Sequence, residues 1–250
     1  MLAKNVKDRL LAVDPDRYRA ALFAAAPERD ALHVLYAFHY ELAKIPELVS
    51  EPLLGQIRYQ WWRDVIEEIY TDMPVRAHEI TTPLAHILRK RDVPRYHIDR
   101  LIHARERDMD GHGFPDIKSA QTYAKETSGT LMQIAAHIIG GEQAKNVSDI
   151  GEVWGLVGLL RGWAYYHDGL LNHIDYKELL DFTKTRLDAV KATHNPVEAV
   201  LMPAISYAAL SAGYVKKLSS SGHNPTTDIV THGALTKRWH LLSAVAKTVI

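Results

Sequence analysis

Apolar residues recur three and four positions apart along almost the whole chain, as in Leu32, Leu35, Tyr36, Leu42 and Ile45, and no sustained two-residue alternation replaces that period. Such spacing gathers apolar side chains on one face of an α-helix, whereas a strand needs the two-residue period. The chain is therefore restricted to an all-α fold. Prolines and glycines cut it into helices expected near 17–26, 28–45, 52–71, 78–91, 95–110, 117–139, 149–172, 175–194, 197–219 and 234–249. Ser50 can cap the third, with Pro52 in its first turn, where a missing N–H is tolerated. Gly140-Gly141 offers a stop after Ile139, and Pro46 should break the helix that reaches it. Helices 117–139 and 149–172 are apolar on most faces, which places them centrally. The expectation is one domain over residues 1–250, an all-α bundle of about ten helices.

Composition narrows the function. The 250 residues are 47% hydrophobic and 24% charged, enough to bury a core without staples. Thirty basic and thirty acidic residues cancel, so no net field draws the chain to nucleic acid or anionic lipid, and no Lys/Arg run supplies a local one. With no cysteine there is no disulfide, thiolate metal site or cysteine nucleophile, which fits a reducing compartment such as the cytoplasm. The N-terminus lacks the apolar core of a secretory signal. The most apolar stretches, 131–141 and 153–160, fall short of the ~20 residues that span a bilayer. Membrane contact is expected to be peripheral at most.

Two stretches carry the chemistry. Residues 35–64 read LYAFHYELAKIPELVSEPLLGQIRYQWWRD, and residues 155–166 read GLVGLLRGWAYY. The first resembles the helix L-Y-A-F-C-R-x-x-D-D-I-x-D of the squalene/phytoene synthase family, with Leu35, Tyr36, Ala37, Phe38 and Ile45 in register. The second resembles that family's Q-L-T-N-I-L-R-D-V-x-E-D, with Leu156, Leu159, Leu160 and Arg161 matching. Tyr123, Ser128, Gly129 and Met132 resemble an intervening segment, and Asp108 stands where the family commonly has an aspartate. The likeness covers most of residues 17–175. It implies the isoprenoid (squalene/phytoene) synthase fold. The SEPLLGQIRYQWWRD run resembles a catalytically degenerate branch, which includes a mitochondrial factor for assembling respiratory complex I and alphaproteobacterial relatives.

Head-to-head prenyl coupling begins when an allylic diphosphate ionises, and Mg²⁺ held by carboxylates on two facing helices neutralises the leaving group. At the first motif Ala43 and Lys44 stand in the adjacent aspartate positions, and Glu47 alone keeps an acid. At the second, Gly162, Tyr165 and Tyr166 replace the acids, and Gly155 and Gly158 replace polar positions. Lys44 would oppose a nearby divalent cation. Glu41, Asp64 and Asp168 are the nearest substitutes, but Asp168 points about 200° around the helix from Tyr166. Two readings of the former pocket stay open. Lys44 and Arg161 could hold a phosphate or carboxylate without metal, with Tyr36, Phe38, Met132, Tyr165 and Tyr166 lining an apolar tunnel. Alternatively, those side chains simply fill the core.

Other groups were weighed. Trp61 and Trp62 point about 100° apart on one helix, so one should be buried and the other at the rim. With Arg58 and Arg63 they form a candidate protein interface, since Trp and Arg are enriched there; packing of both rings is the alternative. Of fourteen histidines, only Asp30-x-x-His33 hints at a metal pair, and His97, His103 and His112 are expected at solvent. Residues 100–110 read as a solvated charged face. No phosphate-binding glycine loop, HExxH or nucleophile elbow occurs. The expectation is a non-catalytic scaffold without a cofactor, by resemblance an assembly factor contacting respiratory complex I subunits. It would work in the cytoplasm or mitochondrial matrix, at the inner face of the membrane. The alternatives are a Mg²⁺-dependent prenyltransferase and a non-catalytic isoprenoid or lipid binder.

Overall fold

The computed structural model describes residues 2–109, 111–140, 147–194 and 196–250. Asp110 and Gly141, expected at a helix end and a stop, lie outside them. The described residues are helical, with no strand among them. In chain order the helices are α1 (Lys4–Val13), α2 (Pro15–Ala21), α3 (Ala26–Ala43), α4 (Pro52–Tyr70), α5 (Thr81–Lys90), α6 (Arg95–Glu106) and α7 (Ile117–Ala124). They continue as α8 (Thr130–Gly140), α9 (Ser148–Arg161), α10 (Trp163–Tyr166), α11 (Tyr176–His194), α12 (Met202–Ile205), α13 (Ser211–Leu218) and α14 (Ala234–Lys247).

The breaks have local causes. Helix α1 was not expected from the sequence, yet Val6 and Leu10, four apart, bury against α3. Asp14 then ends α1 and caps α2, accepting a bond from the Arg17 N–H, with Pro15 in the first turn. Pro46 breaks the chain as expected: α3 stops at Ala43 and a 3₁₀ turn runs Ile45–Leu48. Helices α7 and α8 are one rod with a wider π turn, Lys125–Gly129, between them. The expected 149–172 helix instead ends at Arg161, because Gly162 is a weak helix former and turns the chain into the short α10. Around Pro203, 197–219 is broken into short 3₁₀ and α segments.

Helix α9 is the axis of the molecule, packed on the 125–129 turn, α7, α8, α11 and α13. Gly151 and Gly155 make that contact possible. A Cβ on Gly151 would sit 2.6 Å from the Ser128 carbonyl oxygen, and one on Gly155 would sit 2.9 Å from the Ala124 Cβ. Gly155, read from sequence as a lost polar position, therefore has a packing reason. Helix α3 buries Leu32, Leu35, Tyr36, Phe38 and Leu42 against α1, α2, α5 and α8. Helix α4 lies on α5 and α6, and α14 covers the 206–210 turn.

Candidate functional site

The fold does bring the two motifs together. Ala43 at the end of α3, with Pro46 and Glu47 in the following 3₁₀ turn, faces Tyr165, Tyr166, Gly169 and Leu170 across a small pocket of about 200 Å³ that Asp108 also lines. Tyr165 is 63% exposed and meets the Tyr166 ring edge-on at 4.9 Å. Burial first, and the charges of Glu47 and Asp108 second, raise the Tyr165 hydroxyl above its ordinary pKa. The pocket offers the exposed carboxylate of Glu47, the less exposed one of Asp108, and two phenols.

Behind it, between α2, α6, α7, α9 and α14, lies a central cavity of about 360 Å³. It is lined by charge. Arg17 pairs with Asp14 at 2.7 Å and lies over the Tyr207 ring at 5.1 Å. Lys237 reaches in from α14 to pair with Asp16 at 2.8 Å, and Asp16 also accepts a 2.9 Å bond from the Tyr214 hydroxyl. Arg105 contacts Asp108 at 3.2 Å, donates to the Tyr123 hydroxyl at 2.8 Å and meets His39 Nε2 at 2.8 Å. Tyr123 in turn donates to Asp108. Arg161 lies 4.0 Å over the Tyr214 ring and donates to the Val230 carbonyl at 3.3 Å.

The electrostatics follow from burial. Desolvation opposes the charge on Arg17 and Arg105, but the partners outweigh it and both pKa values rise: Asp14 leads for Arg17, Tyr123 and Asp108 for Arg105. Burial, then Arg105 and Arg17, hold His39 well below the usual histidine range. His39 is therefore neutral, and its Nε2 accepts from Arg105. The Nε groups of Arg17 and Arg105 are buried without a partner among the described residues.

Other candidates lie elsewhere. Lys44 does not join Arg161; it turns outward to Glu41 (2.5 Å) and lines a groove of about 330 Å³ with Ile57, Arg58, Trp61, Trp62 and His78. Its helix ends at Ala43, so the turn at Pro46 carries it off the motif face. Tyr36, Phe38 and Met132 are fully buried in the core rather than lining either cavity above. Tyr36 meets Tyr207, and Phe38 meets the buried Trp62 edge-on at 5.0 Å. Trp61 sits half-buried at the groove rim beneath Arg76, Arg58 is exposed, and Arg63 pairs with Glu106.

The substitute acids do not reach the pocket. Glu41 pairs outward, Asp64 bonds Gln60 and Arg76 at the surface, and the Asp168 side chain is exposed beside His167. His33 stacks on Tyr18 at 4.2 Å while Asp30 pairs with Lys7. His103 and His112 are exposed, but His97 is buried against Tyr96, correcting the solvent expectation. The charged 100–110 segment also needs correction. Arg105 and Asp108 point inward, because the period that buries Ile98 and Leu101 places Arg105 on the same face.

Magnesium does not fit this arrangement. The two motif faces bring no carboxylate beyond Glu47; Asp108, which also lines their pocket, is held by Arg105, as Asp14 and Asp16 are by Arg17 and Lys237. Among the described residues no three of His, Asp and Glu converge as a metal site.

Three comparisons place the molecule. The family model for squalene/phytoene synthase matches residues 10–170. Human NADH dehydrogenase (ubiquinone) complex I assembly factor 6 is 28% identical over 157 residues, and the Bos taurus protein is 29% identical over the same length. Each alignment covers 61% of this chain and 46% of the relative, so the chain matches about half the length of these relatives. A crystal structure of a dehydrosqualene synthase in complex with ligand superposes with a TM-score of 0.74 at 10% identity, covering 97% of this chain and 94% of that one.

Proposed function

The chain belongs to the squalene/phytoene synthase family, and we propose that within it this protein is a non-catalytic assembly factor for respiratory complex I, working without magnesium and through protein contacts. The observation that carries the reading is the facing pair of motif walls. Where a prenyl diphosphate would need metal-bearing carboxylates on both walls, Ala43 faces Tyr165 and Tyr166, leaving Glu47 and the Arg105-paired Asp108 as the acids of the pocket. The name that its human and bovine relatives carry, complex I assembly factor 6, supports the direction. The groove of Lys44, Ile57, Arg58, Trp61 and Trp62 is the contact surface assigned to the partner, since it joins a half-buried Trp to an exposed Arg. Its apolar rim is widened by the exposed Leu48, Leu53 and Leu54. The place of action is the cytoplasmic or matrix face of the membrane that holds complex I; no helix among the described residues is long and apolar enough to cross it.

Affinity capture of the tagged full chain from native membranes rich in complex I is the test. Complex I subunits should co-purify and be lost with Trp61→Ala/Ile57→Asp; their absence from the wild-type capture would sink the reading. A second reading is favoured by the cation-lined cavity, where Arg161 lacks a carboxylate partner among the described residues. There the protein carries an anionic isoprenoid or lipid without converting it. Calorimetric titration with a non-hydrolysable prenyl diphosphate in EDTA separates the two, because only a carrier gives metal-independent heat that Arg161→Gln removes.

A further inference from the structure

Helix α14 has two apolar faces. One is spent on the core: Leu241 and Ala244 are buried, and Lys237 anchors the same side through Asp16. Its end is fastened too, by the Val197 N–H donating to the Thr248 carbonyl at 2.8 Å. The other face has no partner among the described residues. Leu235, Trp239, Leu242 and Ala246 follow one another at four, three and four positions, which is a single stripe on a helix. Leu235 is 79% exposed and Trp239 73%, while Leu242 and, just before the helix, Ile229 are also exposed. Scattered surface leucines need no explanation, but an aligned stripe of this kind does.

The charge around the stripe points to its occupant. Residues 229–250 contain Lys237, Arg238 and Lys247 and no Asp or Glu, in a chain whose net charge is zero. Arg238 and Lys247 are exposed beside the stripe, and Lys217 at the end of α13 bonds the Thr231 carbonyl just before α14. None of the cavities described above is lined by a stripe residue. The surface is a convex ridge of Leu, Trp and Leu flanked by cations, a shape that a deformable bilayer receives better than a preformed protein pocket. Trp and Leu can enter the headgroup–acyl boundary while Arg and Lys meet anionic headgroups.

We infer that the outward face of α14 is a docking face for anionic membrane, which lays the molecule on the bilayer with α14 in the interfacial plane. The inference goes beyond the assembly reading and does not depend on it, since the proposed partner groove is built from α3 and α4.

Co-sedimentation of the full chain with vesicles of phosphatidylcholine, alone or mixed with phosphatidylglycerol, tests it. The wild type should pellet with the anionic vesicles roughly tenfold more strongly than with neutral ones, and added salt should weaken that binding. Leu235→Ser/Leu242→Ser should abolish pelleting with the circular dichroism spectrum unchanged, and Arg238→Gln should weaken it roughly fivefold. Leu53→Ser/Ile57→Ser, on the α4 rim, should pellet like wild type, so a failed partner capture and a failed membrane test remain distinguishable. Lipids brominated near the headgroup should quench tryptophan fluorescence in the wild type and not in Trp239→Phe. The inference is overturned if the wild type stays in the supernatant with anionic vesicles, or if the stripe variant pellets equally well. Light scattering that shows a dimer abolished by the stripe variant, without vesicle binding, would overturn it in favour of a second copy.

Discussion

Two regions at the heart of the molecule arrange their charge in opposite ways. At the motif wall carboxylates are few: Ala43 and Glu47 face Tyr165 and Tyr166 with Asp108 at the edge, and the space is partly filled by rings. At the central cavity the carboxylates remain, but Asp14, Asp16 and Asp108 are held by Arg17, Lys237 and Arg105. The first region is sparsely charged and partly open to solvent. The second is charged, buried and internally paired, and it ties α2 and α6 to neighbours far away in sequence. Negative charge in the second region clamps helices together.

The largest expected effect sharpens that contrast. Lys237→Met strands Asp16 as a buried carboxylate without its cation and should destabilise the fold by about 3–5 kcal/mol in urea unfolding. Asp16→Asn/Lys237→Met should recover much of the loss, because no lone charge is left. Full loss in both variants would mean that packing rather than pairing holds α14.

Acid should act on the buried side selectively. Burial, with Arg100 and His137 adding, lowers His97 to about 4, and His39 and His33 are lowered in the same direction. A histidine whose folded pKa is depressed contributes no penalty above its unfolded value near 6.5, and stability is lost as pH falls from there towards the folded value. Melting should therefore weaken between pH 6.5 and 4, with His97 alone contributing on the order of 2 kcal/mol. His97→Gln should flatten that part of the profile; an unchanged slope would break the assignment.

The smallest effects belong to the motif wall. Glu47→Gln and Tyr165→Phe should each change stability by less than about 0.5 kcal/mol, as exposed positions without a network do. Adding acids there is more telling. Ala43→Asp/Tyr166→Asp should acquire a melting-temperature increase in MgCl₂ that the wild type lacks.

The helical period made the all-α class and most helix positions legible, and Pro46 marked the break at the first motif. The breaks at Gly162 and around Pro203 were not legible, because apolar residues continue through both and periodicity alone does not see a kink. Of the charged centre, Asp14–Arg17 and Arg105–Asp108, each three residues apart, lie within local reach. Asp16–Lys237 joins the two ends of the chain, and nothing local announces such a pair. Arg105 and Asp108 were misread for a different reason: the density of charge in 100–110 outweighed the spacing from Ile98 and Leu101 that turns Arg105 inward.

The central claim is that neither region can assemble the magnesium cluster that ionises an allylic diphosphate. Incubation of the full chain with farnesyl diphosphate and Mg²⁺, with pyrophosphate release as the readout, tests it most directly. The account predicts release no faster than in buffer; Mg²⁺-dependent release that Glu47→Gln abolishes would contradict it.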